Sequence, residues 1–204
     1  MTKLYLYLTL LVIIALAISC NGKKTESAEV YDKQFSITAE EEQLYLAKGK
    51  EVAQTSFQAL SGQLQQAMAE GGIGNAIEYC NVHALPLTDS LTQAMHVVSI
   101  KRTTEKYRNP ENAPTSKEAE QFSEYKKLKL QEKPLKPQLK QYVEGEVVFY
   151  APIELKGQCL SCHGSIEAMG EDYDIIKAKY PSDKATGYKV GDLRGMWSIT
   201  MKKS

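Results

Sequence analysis

Cys159, Cys162 and His163 lie within Cys159-Leu160-Ser161-Cys162-His163, the spacing C-x-x-C-H. Two thiols three positions apart can add to the two vinyl groups on one edge of a porphyrin. The histidine that follows is then carried under the iron as its proximal ligand, which is the attachment chemistry of a c-type haem. No other common cofactor asks for all three residues so close together. Two other chemistries use a C-x-x-C pair. Zinc would need two further ligands, for which Cys80 and His83 offer a spaced pair. A redox dithiol needs only the two thiols and leaves the histidine incidental. The chain has no second C-x-x-C-H, so the motif implies one covalent haem c per chain.

The N-terminus places this chemistry in a compartment. Lys3 is followed by an apolar run without charge, Leu4 to Ile18. That is shorter than the roughly twenty residues of a membrane span and suits a secretory signal. It ends Leu16-Ala17-Ile18-Ser19-Cys20. A small residue followed by cysteine after an apolar core resembles a bacterial lipoprotein cleavage site, with Cys20 as the lipid-modified first residue. An ordinary signal peptide and an uncleaved anchor are the alternatives. The segment from Asn21 to Gln34 is polar and aperiodic, as a flexible tether would be. The expected division is therefore a signal peptide at 1–19, a tether at 20–36 and a haem-binding domain at 37–204. Bacterial haem thioethers are made outside the cytoplasm, so export and motif agree. The expected location is the periplasmic side of a bacterial membrane, held there by lipid. Without Cys20, three of the four cysteines remain. An odd number fits a disulfide framework poorly.

Charge excludes one class of partner. Lys+Arg and Asp+Glu balance at 25 each in 204 residues, so no basic field attracts nucleic acid. The length suits one ordered domain after the tether.

Certain elements must position the motif. Thr38 with Glu41 three residues later reads as a capping box opening a helix over about 38–70. Its buried stripe would be Leu46, Ala53, Phe57, Leu60, Leu64 and Met68, and Gly71-Gly72 would end it. A second helix from about Gly74 carries Ala76, Ile77, Cys80 and Ala84 on one face, with Pro86 bending it or opening its last turns. His96 to Ile100 reads as a strand. Tyr107 to Pro114 reads as an ordered loop. Ser116 can cap a helix over about 116–131. Residues 138–143 and 146–153 alternate around Glu144-Gly145 as a hairpin. The motif follows directly. Asp172 to Tyr180 forms a short helix, and about 193–202 a last strand on which Trp197 is core. The class is α+β, with long N-terminal helices, an antiparallel sheet and a C-terminal haem site.

Iron held by one histidine has a second axial position. Cys80, His83, His96 and several methionines are candidates, and spacing alone separates Cys80 from His83 only slightly. The segment Ala76-Ile77-Glu78-Tyr79-Cys80 and the run from Arg102 to Pro114 resemble the single-haem c-type family with a PAS-like fold. So do Cys159 to Gly164 and the tail Tyr180-Pro181, Ala185 to Tyr188 and Gly191 to Gly195. Members stand alone in bacteria or form the sensor halves of membrane kinases. The resemblance covers about 45–202. It implies His163 and Cys80 as the two axial ligands, the latter as thiolate. Thr104 stands where that family commonly has serine.

A thiolate stabilises ferric over ferrous iron, so a low potential is expected. Arg102 and Arg108 are candidate partners of the haem propionates, since guanidinium and carboxylate pair through two hydrogen bonds; surface ion pairing is the alternative. Tyr150 and Tyr188 are candidates to pack on the ring edge. The expected function is redox or small-ligand sensing with a signalling partner. A periplasmic low-potential electron carrier is the alternative, and a zinc or dithiol protein stands behind both. No Ser/His/Asp or paired-carboxylate arrangement stands out, so an enzyme is not expected.

Overall fold

The computed structural model describes residues 37–203. The expected signal peptide, tether and Cys20 lie outside them. The first element, α1 (Ala39–Ala94), opens on Thr38. Thr38 Oγ1 accepts from the Glu41 backbone N–H at 3.2 Å, and the Thr38 N–H donates to Glu41 Oε2 at 2.8 Å. This is the reciprocal capping box, which satisfies two backbone donors the helix itself cannot. The helix breaks where Gly71-Gly72 was expected to end it. Gly72 has φ 65° and ψ −156°, a region essentially reserved for glycine. Asn75 Nδ2 reaches back across the break to the Ala67 carbonyl at 3.0 Å. The chain then resumes as a second arm that passes through Pro86 to Ala94.

The four strands are β1 (Ser99–Thr103), β2 (Gln138–Val143), β3 (Glu146–Glu154) and β4 (Leu193–Lys202). They form one antiparallel sheet in the order β1-β4-β3-β2. The β2–β3 hairpin turns at Glu144-Gly145, as the alternation implied. Strand β1 starts later than its β-branched run suggested. His96 adopts φ 54° and its N–H returns to the Gln93 carbonyl at 3.1 Å. It therefore turns the chain out of α1 instead of extending it, and regular pairing begins at Ser99 opposite Thr200.

Side-chain alternation gives the sheet two buried faces. Ile100, Val147, Phe149, Trp197, Ile199 and Met201 pack with Tyr45, Val52, Ala53, Leu60 and Ala84 of α1. Gly49 permits this approach, because a Cβ there would lie 2.2 Å from Phe149 Cγ. The opposite face, with Tyr150 and Met196, packs on Phe122 and Tyr125 of α2 (Ser116–Leu130). Each fully buried large side chain of this kind contributes about 1.5–3 kcal/mol. The two helices α1 and α2 thus cover opposite sides of the sheet. Thr115, one residue before the expected Ser116, caps α2 in a second capping box with Glu118. Burial would raise the Glu118 carboxyl, but the Thr115 N–H, Lys101 and Ser198 outweigh it and hold it below the usual range. Lys101 Nζ lies 2.9 Å from Glu118 Oε2, tying β1 to α2.

Candidate functional site

Antiparallel pairing brings three connections to one end of the sheet. Thr103 at the end of β1 pairs with Met196, and Ile153 near the end of β3 pairs with Gly195 at the start of β4. The loop after β1, the segment after β3 and the segment before β4 therefore gather there. The middle one carries the motif: a 3₁₀ turn at Gly157–Cys159 runs into the one-turn α3 (Leu160–His163). Two short helices follow, α4 (Ile166–Met169) and α5 (Asp172–Lys179). Helix α5 packs on the second arm of α1 through Ile77, Ile176 and Tyr180, and Cys162 packs against this cluster.

The strip 183–188 is bound to the motif. Gly187 N–H donates to the Gly164 carbonyl at 2.6 Å, and Tyr188 N–H to the His163 carbonyl at 3.0 Å. His163 Nδ1 lies 2.8 Å from the Ala185 carbonyl oxygen. A carbonyl only accepts, so Nδ1 carries the proton and the lone pair sits on Nε2. A backbone oxygen on one ring nitrogen is how a metal-ligating imidazole is held in its tautomer. Burial, with the charges of Arg194 and Arg108, holds the imidazole well below the ordinary histidine value, against the Ala185 hydrogen bond. The ring is therefore neutral, as ligation requires.

Cys80 is brought to this place from the far arm of α1. It is half-buried, one turn beyond Ile77, within electrostatic reach of Arg102, Arg108 and Cys162. Burial raises both thiols and the guanidinium groups oppose it. Tyr180, beside Cys80, is pushed up to about 12, chiefly by burial. His83 does not share this position. It is exposed and stacks on Tyr79, ring centroids 5.4 Å apart, in a groove with Ala59, Gln63 and Pro86. His96 is exposed at the end of α1.

Three guanidinium groups converge here. Arg108 Nε lies 3.2 Å from Asp183 Oδ1, and its Nη2 donates to the Cys162 carbonyl, so it clamps the strip 183–188 to the motif. Asp183 also accepts from the Ala185 N–H at 2.9 Å. Arg102 makes no hydrogen bond or ion pair with the described residues; its guanidinium lies over the Trp197 ring at 6.0 Å. Burial holds it below the ordinary arginine value, against the pull of Cys80 and Tyr180. Arg194 lies in the Gly191 to Gly195 segment that carries the resemblance, but the sequence assigns it no role at the site. Its guanidinium lies 5.2 Å from the Tyr188 ring, and burial holds it low, Arg108 and Arg102 adding to the effect. The signal that pointed to it was its place at the start of the last strand, where the three connections meet. Among the described residues only Asp183, with its side chain fully buried, sits among these cations in an ion pair. A half-desolvated cluster with this excess of positive charge is matched by an anionic ligand.

The two aromatic candidates divide. Tyr188 meets the His163 ring edge-on, centroids 6.3 Å apart at 86°. Tyr150 faces the other side of the sheet, against α2, and donates to Tyr142 Oη at 3.5 Å. It does not take part.

The donor set can be tested against the cofactor expected from the motif. A neutral imidazole protonated on Nδ1, two thiols three positions apart, a third thiol from another element and the Arg102 guanidinium, which has no hydrogen bond or ion pair among the described residues, fit a haem with carboxylate side chains. Zinc fits less well. Among the described residues no group of three or more His, Cys, Asp and Glu side chains is arranged to hold a metal ion.

A family model described as Tll0287-like: Tll0287 matches residues 24–202. No curated protein matches the chain. Among solved structures, the crystal structure of the cyanobacterial heme-protein Tll0287 is similar. It has 25% sequence identity and a TM-score of 0.51, over 72% of this chain and 92% of that one.

Proposed function

The chain belongs to the Tll0287-like family, and from that premise we propose that it binds one haem c and works as a redox or small-ligand sensor. Cys159 and Cys162 would form the thioethers, and His163 Nε2 and Cys80, as thiolate, would hold the iron. Arg102, whose guanidinium has no acceptor among the described residues, and Arg108 would take the propionates. The observation that carries this reading is the fixed His163 tautomer, with Nδ1 on the Ala185 carbonyl, in one cluster with Cys80 and the arginines. Haem, when bound, supplies a one-electron Fe(III)/Fe(II) couple.

The residues set what that couple does. The thiolate of Cys80 adds negative charge and favours the ferric state, lowering the potential. With Cys80 and His163 both holding the iron, a reacting molecule would find no open ligand position, which supports sensing or electron transfer over catalysis. Arg108 ties the motif to the strip that leads into β4, so a change at Cys80 or His163 reaches the sheet. The domain is PAS-like in this reading. Cys20 carries a lipid that holds the exported domain at the periplasmic side of a bacterial membrane, where a signalling protein reads its state.

Electron transfer is a second reading, favoured by one observation. Lys156, Gly157, Gln158 and Ser161 are exposed around the motif, so the thioether edge would lie near the surface. One experiment separates the two. The purified holoprotein is titrated through its midpoint, with optical spectra, under CO and NO, and its exchange rate with a small donor is measured. Sensing requires a ligand change at Cys80 on reduction and gas uptake by the ferrous form. Fast exchange with an unchanged spectrum and no gas uptake would assign it to electron transfer.

A further inference from the structure

Tyr188 is a buried phenol whose ring carries two cations. Lys106 Nζ stands 4.3 Å from its centroid and the Arg194 guanidinium carbon 5.2 Å, both within the range in which a cation is drawn to an aromatic face. The two cations are also joined through the backbone. Arg194 Nη1 donates to the Lys106 carbonyl at 3.1 Å, and Lys106 Nζ donates to the Thr186 carbonyl. Thr186 lies between Ala185, the acceptor of His163 Nδ1, and the residues that pair with the motif backbone. Tyr188 then presses its ring edge-on to His163. Neither Lys106 nor Arg194 forms an ion pair with a carboxylate among the described residues. Lys106 is exposed and screened by water, so Arg194, half-buried, carries the larger share of their effect.

We propose that Lys106 and Arg194 are positioning residues for His163, acting through Tyr188: they fix the ring, and Arg194, with Lys106 on the Tyr188 ring, adds positive charge near it, raising the potential of the iron it ligates. This rests on the haem reading above. The two charges oppose the Cys80 thiolate, so the potential is set by a balance across the site. A positive charge favours the lower oxidation state of a nearby metal by simple Coulomb attraction, strongly where water is partly excluded. A residue that only packs the ring would change spectrum or stability and leave the potential in place.

The test is potentiometry and optical spectroscopy of the holoprotein with Arg194→Gln, Arg194→Lys and Lys106→Gln. Arg194→Gln is expected to lower the ferrous-to-ferric ratio at fixed potential about tenfold, about 59 mV for one electron, with the low-spin spectrum retained. Arg194→Lys keeps the charge and is expected to restore most of that shift. Lys106→Gln, at an exposed position, is expected to shift the same way by less. An unchanged midpoint in both glutamine variants, or equal shifts in the lysine and glutamine variants at 194, would overturn the proposal. If Arg194→Gln does not fold, Lys106→Gln decides it by the same sign. A wild-type protein matured with no bound haem would overturn both this proposal and the reading beneath it. Wild type with haem and unshifted variants overturns this proposal alone.

Discussion

Replacing Cys80 with alanine is expected to keep the haem attached and to abolish the thiolate-type ferric spectrum. The same change should raise the midpoint potential by a substantial part of the ~0.8 V that axial-ligand identity spans in haem proteins. The reason is local. Cys80 is the cysteine that the second arm of α1 carries into the cluster of Arg102, Arg108 and Cys162. The side chain is small and half-buried, so the fold should lose only about 1 kcal/mol. His83→Ala is the matched control. His83 is exposed and stacks on Tyr79, so its removal should leave spectrum and midpoint unchanged. Spectra and potentiometry of the two variants check this together. An unaltered thiolate signal in Cys80→Ala would show that another atom holds the sixth position.

Cys159→Ala with Cys162→Ala is expected to remove covalent attachment entirely. Acidified organic solvent should then extract all haem from the variant and none from the parent, as read from the Soret band remaining with the polypeptide. The two sheet cores should survive. The cluster under α1 and the cluster under α2 contain neither cysteine. A cooperative thermal transition close to that of unloaded parent protein is the expected companion result. Thioether loss with an intact fold would separate the motif's chemistry from the architecture that carries it.

Much of that architecture was legible locally. The Thr38/Glu41 box, the Gly71-Gly72 break and the Glu144-Gly145 turn each have a short-range physical cause, and each appears in its expected place. The face carrying Ala76, Ile77 and Ala84 is buried as its spacing required, with Cys80 half-buried beside them. His96 misled because Val97-Val98 has strand propensity, while the turn out of a long helix demanded positive φ at the residue before it. The location of α2 was not legible. Both sheet faces are apolar, and periodicity does not say which face a given helix covers. The sequence points to the motif, to Cys80 and to Arg102 and Arg108, which lie on three of the four chain segments that meet at the site. Arg194, Lys106, Asp183 and the Ala185 carbonyl enter through antiparallel pairing that brings residues dozens of positions apart to one sheet end. That information resides in register, which no five-residue pattern contains. Tyr150 shows the converse: one residue of strand alternation puts it on the far face from His163.

The most direct measurement is the intact mass of the denatured protein, after expression in a bacterium that assembles c-type cytochromes, with its absorption spectrum recorded first. Polypeptide plus one haem, borne on the peptide containing Cys159 and Cys162, is the expected result. A colourless protein whose mass is accounted for by polypeptide and lipid alone would contradict it.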